Sequence, residues 1–266
     1  LVGSEMCIRD RIESVRGVHE VVIYRIENGS EVEALRETKN GEHTLNYAPE
    51  IDFTEATSKL KVVVSDGREG KEAIGYMKAY VNMDVATLNV GSQPLANNAH
   101  VKYPDAFGMV SLNDLKTYSV DYAIANEVNA KNVDFKFYCF GASGSPRLYS
   151  MDNTGKDGEF SGSTGKLSAI KVKNLTRFAI LSNFDYENAT VASISSEILS
   201  SSIAQSLLDP IAVGNVIAFR TGGSSAAGGG RIGVMKVINI TEPKELVSNN
   251  ATARVMTVEI KFPKKK

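Results

Sequence analysis

The sequence predicts an all-β protein of two antiparallel β domains in series. Three observations carry this. Apolar residues recur at period two in most segments, as in strands. Turn residues, chiefly Gly, Asn, Asp and Ser, punctuate the chain about every ten residues, the spacing of small sheet domains. The stretch Ile211–Ile240 sets two β-branched runs, Val213–Arg220 and Ile232–Ile240, on either side of a Gly/Ser/Ala tip. In those runs Val213, Ile217 and Phe219 oppose Val216 and Ala218, and Ile232, Val234 and Ile238 oppose Met235 and Val237. Apolar residues on both faces mark strands covered on both sides, so this pair is read as the core hairpin of the larger domain.

Taken in order, residues 1–11 (LVGSEMCIRDR) stand apart, because the string resembles a translated transposase-end sequencing adapter. This reading puts the native start upstream and leaves Cys139 as the one native cysteine. From Ile12 to Met83 the chain reads as a small antiparallel sandwich. Val18–Ile26 is a strand that EVEALRET continues, HTLNYAP follows, and a hairpin joins Lys59–Val64 to Glu72–Val81 through Ser65-Asp66-Gly67 and Glu69-Gly70.

The second domain runs from Asp84 to Lys266, with DVATLNVGSQ as its first strand. Residues 101–119 hold two short strands around a turn. Val133–Gly141 is a strong strand, with Val133, Phe135, Phe137 and Cys139 on one face and Asp134, Lys136, Tyr138 and Phe140 on the other. Arg147–Lys166 reads as a polar excursion, and Lys171–Leu181 as a strand interrupted by Asn174. Ile194–Leu208 is either the one short helix, with Leu199, Ile203 and Leu207 in a row, or a serine-rich loop. Arg254–Phe262 closes the domain as a half-exposed strand, with Met256, Val258, Ile260 and Phe262 inward; Pro263–Lys266 is a solvated tail.

Composition limits the function. Lys plus Arg number 30 against 31 Asp plus Glu, a net charge of −1, without the basic excess of a nucleic-acid binder. No apolar run reaches the roughly 20 residues that span a bilayer. There is no Trp, so the 10 Tyr and 10 Phe supply the aromatic packing.

Motifs with chemical content fail on spacing. Gly162–Lys166 resembles a phosphate loop, but Phe160 stands where glycine is needed and Leu167 replaces the magnesium-binding hydroxyl. The tip Gly222–Gly230 joins strand to strand and offers no helix N-terminus to an anion, so it reads as a slack surface loop. Ser168 and Lys171 have the S-x-x-K spacing without its companion motifs. His19, His43 and His100 lie far apart, which disfavours zinc. Asp152–Glu159 carries three acids in turn residues and leaves calcium open, since the alternation of an EF-hand is lacking. Cys139 reads as a small buried hydrophobe. Tyr149 and Tyr186, with Arg147 near the first, are the side chains best suited to a sugar or peptide platform.

Two resemblances add to this. The segment VSDGREGK followed by a last alternating strand resembles the final hairpin of bacterial immunoglobulin-like domains, which are β-sandwiches. NVGSQ, AFGMVSLNDLKTYSVDYA, VDFKFYCFGASGSPRLYSMD, KNLTRFAIL, NFDY, GNVIAFRT and RIGVMKV, in that order, resemble an uncharacterised family of Bacteroidota surface lipoproteins. In that family an immunoglobulin-like domain precedes a C-terminal β-sandwich, and relatives have a shorter turn at the Gly222–Gly230 tip. The resemblance implies export and a lipid anchor on the extracellular face of the outer membrane, or secretion. It supplies no catalytic residues.

The expectation is therefore a non-enzymatic surface protein that binds an extracellular glycan or protein. A structural or adhesive spacer is the alternative, and an unrecognised hydrolase a third reading. No catalytic, cofactor or metal residue is assigned, no nucleic-acid partner is expected, and the ligand-binding residues are left open.

Overall fold

The computed structural model describes residues 5–7, 10–242, 245–246 and 250–265. The chain forms two compact units, and it is all-β in character. One unit comprises Leu1–Met83, Glu187–Ser196 and Lys264–Lys266; the other comprises Asp84–Tyr186 and Glu197–Pro263. No helix among the described residues is long and apolar enough to cross a membrane.

In the first unit, β1 (Glu5–Cys7) pairs with β4 (Glu50–Asp52). The remaining strands, β2 (Asp10–Glu27), β3 (Ser30–Tyr47), β5 (Thr57–Ser65) and β6 (Ala73–Lys78), make an antiparallel sheet in the order β3-β2-β5-β6. Val18, Val21, Ile23 and Leu60 of this sheet bury themselves against Tyr47, Ile51 and Phe53. Residues 31–38 do not continue the preceding strand, as expected, but return beside it. Asn28 (φ 51°) and Gly29 (φ 83°) both adopt the left-handed region, the backbone of a two-residue hairpin turn, and Glu27 faces Ser30. Residues 1–4, 8 and 9 of the adapter-like segment lie outside the described residues.

A short helix, α3 (Val191–Glu197), belongs mainly to this unit. Thr190 and Ser193 cap its start reciprocally, each hydroxyl taking the other's backbone N–H. This corrects the expected helix at Ile194–Leu208. The helix begins earlier and stops at Glu197, where the run of serines offers the backbone competing hydrogen bonds. A 3-10 turn at Ser200–Ser202 follows.

The second unit is a sandwich of two five-stranded antiparallel sheets. One holds β13 (Leu207–Leu208), β11 (Ser145–Ser150), β10 (Phe135–Phe140), β8 (Met109–Ser111) and β9 (Lys116–Tyr118), in that order. The other holds β12 (Arg177–Leu181), β14 (Val216–Arg220), β15 (Ile232–Ile240), β16 (Val255–Pro263) and β7 (Met83–Gly91). Phe135, Phe137 and Leu148 of the first sheet meet Phe178, Phe219, Met235 and Ile260 of the second in one core. The far face of the first sheet is covered too. There Tyr138, Tyr149 and Met151 pack with Val120 and Ala123 of α1 (Val120–Ala125), Ala130 of α2 (Glu127–Lys131), and Phe160, Leu167 and Ile170. That second cover is why both faces of β10 are buried, Lys136 among them.

Several expectations change here. The supposed polar excursion from Arg147 begins with β11, which pairs with β10 from Phe135↔Ser150 to Phe140↔Ser145. The strand expected over Lys171–Leu181 starts only at Arg177, and that over Val213–Arg220 only at Val216; Val213 is 56% exposed. The outward face of β16 is not simply solvated, since Lys261 is fully buried there. Helices α1 and α2 were not expected at all; Ser119 and Asn126 cap them with their side-chain oxygens.

Candidate functional site

The side chains with the most chemical promise in the sequence are absorbed into the fold. Tyr149 is buried, its ring 5.6 Å from that of Tyr138. Tyr186 is buried as well and donates its hydroxyl to the Glu259 carbonyl at 2.7 Å. Arg147 pairs with Asp209 at 2.9 Å and lays its guanidinium 4.1 Å from the Phe140 ring centroid. These residues do not converge on a platform. Cys139 sits in the sandwich core, where burial pushes its thiol up to about 12, far from the thiolate that reactivity needs.

The three acids of residues 152–159 go to three different cations. Asp152 takes both ends of the Arg177 guanidinium, each at 2.8 Å. Asp157 pairs with buried Lys136 at 2.6 Å, and Glu159 pairs with Lys156 at 2.9 Å. No group of three or more His, Cys, Asp or Glu among the described residues is placed to hold a metal ion. Ser168 and Lys171 are both exposed on a 3-10 turn and the loop after it. In the loop at Gly162–Lys166 the backbone donors are already used. The N–H groups of Ser163 and Thr164 reach the Asp121 carboxylate at 3.0 and 2.9 Å, and the Thr164 hydroxyl joins them at 2.7 Å. An internal carboxylate thus fills the nest a phosphate would need, and these donors hold it well below the usual carboxylate range.

The Gly222–Gly230 tip is seated rather than slack, which corrects the expectation. Ala227 is buried in the main core, and Ala226 donates its N–H to the Lys131 carbonyl at 2.9 Å. The Ser224 hydroxyl reaches the Asn174 side chain at 2.6 Å. Asn174 is fully buried and also donates to the carbonyls of Lys131 and Val133, both at 2.8 Å. It is a structural hub that ties the tip to the chain around Lys131 and Val133.

The second unit has a polar-lined cavity of about 540 Å³ beside β12. Its floor is residues 179–184, and its walls include Glu197, Ile198, Ser202 and Gln205. β12 ends its sheet, so one side of its backbone faces outward. Phe178 exchanges both backbone bonds with Gln205, at 2.8 and 3.1 Å. In an antiparallel ladder alternate residues turn the same way, so the N–H and C=O of Ile180 also point away from β14. Ile180 is 44% exposed. Ile180, Ser182, Asn183, Glu197, Ser202 and Gln205 line the same space. None of these residues was singled out from sequence; the serine run after Glu197, which ends the helix, was the available signal.

No family model and no curated protein sequence matches the chain. Among solved structures it is similar to a DUF4466 family protein from Parabacteroides merdae, at 13% identity and a TM-score of 0.45, over 98% of this chain and 93% of that one.

Proposed function

We propose that this chain is a non-enzymatic binding protein of the bacterial surface and holds an extracellular glycan in the cavity beside β12. The observation that carries the reading is the composition of that cavity. Outward backbone groups at Ile180, the hydroxyls of Ser182 and Ser202, and the Glu197 carboxylate suit a ligand rich in hydroxyls. A peptide ligand would use the same backbone groups and is the other outcome of the test. A non-catalytic role accords with the protonated Cys139 and with acids committed one by one to Arg177, Lys136 and Lys156.

Export, with a lipid anchor on the outer membrane and an immunoglobulin-like first domain, rests on the resemblance to Bacteroidota surface lipoproteins. A structural or adhesive spacer remains the competing role. Glycan-array and affinity-gel screening of the chain, with a Ser202→Trp variant to fill the cavity, separates the two. Saccharide binding that the variant loses supports the proposal. Protein partners in pull-down without saccharide binding favours the spacer, and a cytoplasmic signal on surface labelling of the native gene product overturns the location.

A further inference from the structure

β6 is an unusual edge. It is the last strand of its sheet, and all six of its residues, Ala73–Lys78, are exposed. Ile74, Tyr76 and Met77 are 55%, 65% and 37% exposed. Edge strands are normally guarded by proline, bulges or inward charges. β6 has no proline, and its register with β5 runs without a shift from Lys59↔Lys78 to Val64↔Ala73.

The backbone phase of this edge is determined. Ala79 donates its N–H to the Ser58 carbonyl at 3.0 Å, in register with the strand pair. By alternation Met77, Gly75 and Ala73 face β5, and Lys78, Tyr76 and Ile74 turn their N–H and C=O groups away from it. A strand added here must bond to those residues.

We infer that the occupant is β6 of a second copy of this chain, paired antiparallel about Gly75, so that two four-stranded sheets become one. Two facts select the partner and the register. A two-fold axis normal to the sheet places only same-face residues opposite one another, which Ile74, Tyr76 and Lys78 satisfy with Glu72. Centred on Gly75, the pairing sets Ile74 against Tyr76 of the second copy, a β-branched–aromatic pair, and Lys78 against Glu72 of the second copy, opposite charges. The outward-facing residues are the ones this register joins by hydrogen bonds. Lys78 lies 2.9 Å from Glu187 in the single chain, an exposed ion pair of little net value that can be exchanged for Glu72. Glu72 accepts the Gly70 N–H at 3.2 Å in an exposed turn, also readily given up. A strand this short buries less than the roughly 1,200 Å² of stable complexes, so the dimer is weak and concentration-dependent.

Sedimentation velocity of the full chain, from the micromolar to the submillimolar range, tests this. The wild type should shift from monomer to dimer across that range. Lys78→Glu, which sets like charges opposite, should weaken association about tenfold, and adding Glu72→Lys should restore it. Tyr76→Pro removes an outward donor while leaving the β5 ladder intact, and should leave only monomer with an unchanged circular dichroism spectrum. A wild type that stays monomeric throughout overturns the inference. So does a Lys78→Glu variant that dimerises as the wild type does, or a double variant that fails to recover.

Discussion

Lys136 and Asp157 form an ion pair of 2.6 Å with side chains 0% and 3% exposed. Lys136 lies on β10, and its ammonium also donates to the Asn153 carbonyl at 3.0 Å and the Ser150 carbonyl at 3.4 Å. Burial pulls the lysine below its ordinary range, and the adjacent carboxylate works against that pull. Asp157→Ala strands a buried charge and should cost about 3–5 kcal/mol. Replacing both partners by Met and Leu should be close to neutral. Urea unfolding followed by near-ultraviolet circular dichroism reads the two apart.

Asp134, two residues before Lys136 and also buried, responds to pH. Burial pushes its carboxyl from the ordinary 3.8 up to about 6, while the Leu112 N–H, at 2.8 Å, and the Ser225 hydroxyl favour the charged form. The folded protein therefore binds more protons than the unfolded chain between those two values. Its contribution to stability is full below about pH 4 and is lost as pH rises through about 6, by about 2–3 kcal/mol. Asp134→Asn keeps an acceptor for Leu112 and removes the titration. The difference in stability between variant and wild type should move in the variant's favour from pH 4 to pH 7 and then level off.

The seated tip predicts a contrast between adjacent glycines. A Cβ on Gly222 would lie 2.5 Å from the Leu175 backbone nitrogen, which cannot yield, whereas one on Gly223 would meet nothing within 4 Å. Gly222→Ala should cost about 1–3 kcal/mol and Gly223→Ala should be nearly silent. Thermal unfolding of the two variants side by side decides it.

Asp121 makes a local prediction. Its carboxylate holds Ser163 and Thr164 by their N–H groups, and Asn97 by its amide at 3.0 Å. Asp121→Ala should speed hydrogen exchange at Ser163 and Thr164 while leaving exchange in β14 and β15 unchanged.

How far the sequence could be read depended on where each residue's partner lay. β7, β10 and the β14–β15 hairpin show in period and apolar content, because Leu88, Val90, Phe135, Phe137, Ile217 and Phe219 face the sandwich core. β11 does not: Pro146 and Arg147 look like loop, yet Pro146 sits opposite Cys139 and Arg147 opposite Tyr138. α1 and α2 are too short for a helical period, and their only local signs are the caps at Ser119 and Asn126. Lys136 and Lys261 fall at alternating positions and so read as a wet face. Both are buried because chain from elsewhere covers them: residues 153–157 over Lys136, and Tyr186, whose carbonyl lies 2.6 Å from the Lys261 ammonium, over the other. The cavity beside β12 was hidden for the same reason, being assembled from segments that are unremarkable one at a time.

The pairing of β7 with β16 governs when the second unit can exist. The first strand of that unit finds its neighbour in the last one, and the Ser92 hydroxyl, bonded to the Thr252 carbonyl and the Arg254 N–H, fastens the two across about 160 residues. During synthesis the sheet therefore stays open at one margin until β16 has left the ribosome. Closure over such a separation is slow. Until then β7 has no neighbour in its sheet, and β16 is the strand that ends that period.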